Sequence, residues 1–181
     1  MTLDIDVDAD GWSTLTYRHE LYNDTDTPLT SMSRELWFEH TDGPLKFETL
    51  PPEDESRNIM IERKHETATT IRFACRLLPA LPPGESAVVA YRCAGGRFVS
   101  DHYWRQSIVR PVDRFTLRLR HAGVNVLSSC SALEERPDGS EISATESLTW
   151  RRDDSGVAVE LVRTNLRPNR AITLRWDVPR G

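Results

Sequence analysis

The densest group of chemistry-bearing side chains in this sequence is Asp101-His102-Tyr103-Trp104-Arg105-Gln106. A carboxylate, an imidazole, a phenol, an indole and a guanidinium stand together where a loop is expected to lead into a strand. Aromatic rings beside an arginine suit an anion, a planar ligand or a partner surface. The same residues also allow a plainer arrangement, with Trp104 in the core and His102 and Arg105 facing water. A second group follows in Arg110, Arg114, Arg118 and Arg120, of which the last three share one side of a strand by period two. Such a row could meet phosphates, or it could pair with acidic neighbours in the same sheet. The formal net charge of −5 argues against nucleic acid, as does the lack of a helix-turn-helix or RNA-binding motif. The binding candidates are therefore Asp101, His102, Tyr103, Trp104, Arg105, Arg114 and Arg118, for a protein partner or a small-molecule ligand.

Other chemistries find less support. Asp6-Val7-Asp8-Ala9-Asp10-Gly11 has the spacing that arranges oxygens around calcium. Counting on from Asp6, however, the position that should hold a bidentate glutamate is Tyr17, and the surroundings alternate like a strand. The segment reads instead as an acidic strand and turn. His19, His40, His65, His102 and His121 form no HxH or HxxxH pair, so no metal motif is expected. His19 alternates with Tyr17 and Leu21, which suits a half-buried sheet residue. Ser128-Ser129-Cys130-Ser131 is tied to no base by sequence, and there is no G-x-S-x-G elbow or phosphate-binding glycine loop. No catalytic residue and no cofactor are expected.

The elements that must position these groups are strands. Leu3, Ile5 and Val7 alternate with Asp4 and Asp6, and Phe115, Leu117 and Leu119 alternate with arginines. Ile172, Leu174 and Trp176 repeat the pattern near the end. Met32, Leu36 and Phe38 share a face that Arg34 interrupts, which leaves the register of that strand open. Asn23 to Pro28, Pro82-Pro83-Gly84, Pro137-Asp138-Gly139-Ser140 and Asp153-Asp154-Ser155-Gly156 carry turn chemistry. The segment from Pro51 to Asn58 reads as an exposed loop. No window of helical length has a clean 3.6-residue period. About ten short strands follow from this spacing, as in an antiparallel sandwich or a small barrel.

Composition sets the outer limits. A chain of 181 residues suits a single domain, and a split would fall near Gly95-Gly96. Residues 1–90 carry a net charge of −9 and residues 91–181 a net of +4, so one acidic and one basic face are expected. No apolar run nears the roughly 18 residues of a membrane span. The acidic, alternating start is unlike a secretory signal. Cys75, Cys93 and Cys130 are odd in number and lack CxxC spacing, which favours reduced, buried thiols and a cytoplasmic setting.

Several segments together resemble a β-sandwich domain of actinobacterial proteins that often follows a helix-turn-helix. They are Tyr22-Asn23-Asp24-Thr25-Asp26-Thr27-Pro28-Leu29, Leu81-Pro82-Pro83-Gly84-Glu85-Ser86, Tyr103-Trp104-Arg105-Gln106-Ser107-Ile108-Val109-Arg110-Pro111 and Phe115-Thr116-Leu117-Arg118-Leu119. The resemblance spans most of the chain and brings no catalytic motif. It implies a sensor or interaction domain of a regulatory protein, and this chain departs from it in having no DNA-binding helices. The expected fold is a single antiparallel β-sandwich, immunoglobulin-like in the broad sense, with a small closed barrel as the alternative. The expected function is a non-catalytic binding or interaction module. The alternatives are a small β-barrel cyclase or isomerase of secondary metabolism and a structural assembly subunit.

Overall fold

A computed structural model of the chain describes residues 1–51, 58–100, 102–153 and 155–179. Asp101, Asp154 and most of the expected 51–58 loop lie outside the described residues. The expected all-β, sandwich-like architecture is present, with no α-helix and no sheet closed into a barrel among the described residues. The closed barrel is thereby corrected: the hydrogen bonding ends at edge strands and does not return on itself.

Fourteen strands are described, more than the ten expected: β1 (Thr2–Val7), β2 (Trp12–Tyr22), β3 (Leu29–Trp37), β4 (His40–Thr49), β5 (Asn58–Glu66), β6 (Thr70–Leu81), β7 (Ser86–Arg97), β8 (Tyr103–Ile108), β9 (Val112–Ala122), β10 (Ser129–Glu135), β11 (Glu141–Ser143), β12 (Leu148–Asp153), β13 (Gly156–Leu166) and β14 (Arg170–Asp177). The chain forms two compact units. One joins Met1–Ser13 to the chain from Phe98 onward, and the other is Thr14–Arg97.

In the first unit, β12, β13, β9 and β1 are neighbours in one sheet, and β11, β10, β14 and β8 form a second. The two layers meet over Leu3, Ile5, Phe115, Leu117, Leu161, Ile172 and Leu174, all essentially inaccessible to water. Alternation dictates this: in β9 the inward Phe115, Leu117 and Leu119 alternate with Thr116, Arg118 and Arg120, of which the two arginines are exposed and Thr116 is buried. One pairing corrects the antiparallel expectation. β1 runs parallel to β9, with Leu3 opposite Leu117 and Ile5 opposite Leu119. A period of two is the same in either direction, so sequence alternation carries no strand polarity. The Pro137-Asp138-Gly139-Ser140 turn is formed as expected. Asp138 Oδ1 accepts from the Ser140 amide, and Gly139 takes a positive φ of 81°.

In the second unit, β7 and β4 pair in one layer, to which β2 also belongs, and β3-β6-β5 is the other. Leu15, Tyr17, Ile71, Phe73, Leu81, Val89 and Tyr91 fill the space between them. The two turn segments that carry the resemblance come together here. The Asn23 side-chain amide donates to the Thr27 and Leu81 carbonyls, at 2.8 and 2.9 Å. Its backbone bonds Gly84 and Glu85. Asn23 is buried for that reason: it satisfies a loop that would otherwise leave polar groups unmet. Near the end of the unit Gly96 is required sterically, since a Cβ there would lie 2.2 Å from the Phe38 ring.

Candidate functional site

The strongest site is in the Thr14–Arg97 unit and was only half visible in sequence. In β2, inward positions are occupied by Leu15, Tyr17 and His19; in β3, they are Met32, Arg34 and Leu36. The open register of β3 is thus settled, with Arg34 on the apolar face between Met32 and Leu36. Tyr91 from β7 and Cys75 from β6, the partner of Met32 across the ladder, complete the surroundings.

Three rings are stacked. Tyr17 and His19 have centroids 5.7 Å apart and nearly parallel planes, and Tyr91 lies 5.1 Å from Tyr17 and 5.9 Å from His19. Arg34 reaches this stack with one nitrogen. Its Nη2 is 3.1 Å from His19 Nδ1, 3.4 Å from Nε2 and 3.2 Å from Met32 Sδ. Arg34 can only donate, so the imidazole receives the bond as an acceptor. Arg34 Nε is buried with no hydrogen-bond partner. The Tyr91 hydroxyl, beside Arg34, is also buried and makes no hydrogen bond of ordinary geometry.

Arg34 is the one charged side chain of this group. Burial, and next the neighbouring guanidinium, hold the His19 pKa well below the usual histidine value, so the ring is neutral. Burial pushes the Tyr91 phenol well up and the Cys75 thiol up to about 12, with Arg34 pulling the other way in each case. A thiol held protonated is a poor nucleophile, so Cys75 is not poised for covalent chemistry. Among the described residues no carboxylate lies within ion-pair distance of Arg34. The adjacent Glu35 faces outward and bonds Arg72. The arrangement is a half-buried cation among neutral aromatic and sulfur groups, which suits holding a negative charge.

Two other half-buried arginines, Arg163 and Arg170, are treated differently. In the first unit Glu134, 2% exposed, receives Arg163 on Oε2, with Nη2 at 2.5 Å, and Arg170 on Oε1. All three occupy inward positions of their strands. Burial raises the Glu134 pKa, but the bonds from the two guanidiniums outweigh it and leave it below the ordinary carboxylate value.

The segment singled out from sequence is spread over several roles. Asp101 lies outside the described residues. Trp104 is 4% exposed and belongs to the core, opposite Leu174. Tyr103 is half-buried at the start of β8. Arg105 is exposed and bonds Glu135 Oε2 through Nε and Nη2, at 3.2 and 2.8 Å. His102 does not simply face water. It is half-buried beside Phe98, His121 and Trp176, with ring centroids 6.4, 6.0 and 5.8 Å away. His121 is buried; burial first, and then His102, lower its pKa against the opposing Ala122 carbonyl and Asp8. The arginine row is largely absorbed by the sheet. Arg118 pairs with Glu160 on β13 at 2.8 Å and Asp4 on β1 at 3.5 Å, and Arg120 donates to Ser155 Oγ. Arg114 is exposed. Tyr103, Trp104 and Arg105 lie on β8 and Arg114 and Arg118 on β9, strands of two different sheets.

The calcium-like segment is an ordinary turn: Asp8 Oδ1 accepts from the Asp10 and Trp12 amides, both at 2.9 Å. No group of three or more potential metal ligands occurs among the described residues. Cys75 and Cys93 are buried free thiols, and Cys130 is a half-buried one. No described helix is long and apolar enough to cross a membrane. The signal that could have located the Arg34 centre was in the sequence twice, as His19 and Arg34 each break the apolar face of an alternating strand. No protein-family model matches this chain, and no curated protein matches it.

Proposed function

We propose that this chain is a non-catalytic binding module, of the sensor or partner-binding kind found in regulatory proteins, whose ligand or partner presents an anion to Arg34. One observation carries this reading: Arg34 is a half-buried guanidinium with no carboxylate partner among the described residues, next to an imidazole kept neutral. A charge removed from water is costly unless it is paired. The same chain supplies a carboxylate to Arg163 and Arg170, so a missing counter-ion at Arg34 fits one that arrives from outside. The neutral thiol and phenol beside it favour binding over catalysis.

Thermal unfolding in chloride, sulfate, acetate and phosphate at constant ionic strength tests this. A ligand that binds only the folded state stabilises it by RT ln(1 + [L]/Kd), about 2.7 kcal/mol at a hundredfold excess over Kd. The expected result is a saturable rise in melting temperature with at least one anion, absent in Arg34→Met. Equal, unsaturable shifts in both proteins would overturn the reading.

A further inference from the structure

We infer that β12 is a docking edge, to which an extended acidic segment of a partner protein adds as a further strand. The inference does not depend on Arg34, since β12 belongs to the other unit. Among the described residues β12 pairs only with β13 and ends its sheet. Alternate N–H and C=O groups of Leu148–Asp153 therefore point away from β13 with no strand to meet them.

Exposed edges are normally blunted, and this chain blunts its others. β11 has only three residues. The registers of β3, β4 and β5 each slip, between Leu29 and Ser31, between Thr41 and Lys46, and between Arg63 and His65. β8 has no slip, but its exposed Arg105 is held by Glu135 and Ser107. β12 is regular over all six residues, from Leu148 opposite Leu161 to Asp153 opposite Gly156.

Side chains set the occupant. Trp150 stands opposite Val159, which is 2% exposed, yet Trp150 itself is 47% exposed. Its ring overhangs the buried row, and an aromatic in that position is a ready anchor. Arg151 and Arg152 follow it, both exposed. Arg152 donates to Asn125 Oδ1 at 3.4 Å, and among the described residues no carboxylate lies within ion-pair distance of either guanidinium. A second copy paired through β12 would crowd four arginines into one short ladder, which like charges disfavour. Carboxylates opposite the two arginines complete it instead. Directly opposed residues of an antiparallel pair share a face. The matching segment therefore reads acid, acid, apolar from its N-terminal side, set against Arg152, Arg151 and Trp150. Backbone hydrogen bonds supply affinity, and these three positions supply selection.

The experiment is an NMR titration of the full chain with the acetylated hexapeptide threonine-glutamate-glutamate-valine-threonine-valine, and with a second peptide in which lysines replace the glutamates. The acidic peptide is expected to shift the β12 amides saturably and slow their exchange with solvent, and the lysine peptide to leave them unmoved. Affinity for the acidic peptide should fall at least about tenfold in Trp150→Ala, and likewise in Arg151→Glu combined with Arg152→Glu. That double variant should take the lysine peptide instead. If it does not fold, as judged by its amide spectrum, Trp150→Ala and the two peptides decide. Shifts confined to other strands, or equal binding of both peptides, would overturn the assignment. Dimerisation in sedimentation that is lost in Trp150→Ala, without a peptide response, would give the edge to a second copy and overturn it too. Silence of β12 to both peptides would overturn it and leave the Arg34 reading standing.

Discussion

Arg34 in one unit and the Arg163–Glu134–Arg170 triad in the other are two solutions to the same problem. In each, a charged residue occupies an inward position of an alternating strand, where water is scarce. The triad answers with a carboxylate that receives both guanidiniums, each still about a quarter exposed. Arg34 has an imidazole, a sulfur and a phenol, none of them charged. The first arrangement is complete within the chain and reads as structure. In the second no carboxylate among the described residues answers the cation, and the proposed binding role rests on that difference.

The sharpest way to break the comparison is to delete the shared carboxylate. Glu134→Ala leaves two inward arginines facing each other with no counter-ion and should cost about 3–5 kcal/mol in chemical denaturation. A loss below about 1 kcal/mol, the range of a surface pair, would mean that the triad is no more closed than Arg34.

Acid separates the centres next. His19 has a folded pKa below the ordinary 6.5, so below that pH the unfolded chain binds more protons. Stability should therefore fall as pH drops through about 6.5 and continue falling towards the folded pKa. His121 acts in the same sense. Glu134 has a folded pKa below the ordinary 4.5, so its contribution is present above that value and is lost as pH falls beneath it. Two windows of loss are expected in the denaturation midpoint, each sloping by at most about 1.4 kcal/mol per pH unit for each proton taken up. A single transition below pH 4.5 would remove His19 from the argument.

The two centres were unequally legible in the sequence, and so was the fold. Leu3/Ile5/Val7, Phe115/Leu117/Leu119 and Ile172/Leu174/Trp176 announced their strands because alternation is a local property. β11 was too short to signal itself at three residues. β4 passes through Gly43-Pro44 as a strand by means of a register shift between Thr41 and Lys46. The parallel β1–β9 pair joins segments more than a hundred residues apart, which no local pattern encodes. His19 and Arg34 each stood out as a break in an apolar face, but their meeting depends on β2 and β3 lying in facing layers. Glu134 gave no signal, since β10 reads as a polar strand. The Asp101-to-Arg105 cluster stood out by composition, yet alternation sends Trp104 inward and Arg105 outward.

Arg34→Met should then have a smaller effect than Glu134→Ala. It removes a half-buried charge, which is favourable, and deprives His19 of its donor, which is not. The net change should lie within about 1 kcal/mol of wild type. Since Arg34 is the second cause of the low His19 pKa, the variant should also show His19 titrating higher by NMR. A loss above about 3 kcal/mol would mean that Arg34 is a structural cation already satisfied by its neighbours, and the contrast between the centres would disappear.

Arg118→Ala sets the lower end of the scale. Its guanidinium is about half exposed, although it bridges Glu160 and Asp4 across three strands. Water screens both pairs, so the expected loss is about 0.2–1 kcal/mol, shrinking further in high salt. The Glu134→Ala loss should change far less with salt, because screening ions do not reach a carboxylate 2% exposed. If Arg118→Ala proves as costly and as salt-insensitive as Glu134→Ala, burial is not what ranks the ion pairs of this protein. An arginine without a carboxylate would then carry no special meaning. If the two separate as expected, exposure decides what each charge is worth, and Arg34, half-buried with no carboxylate partner among the described residues, stands apart on that scale.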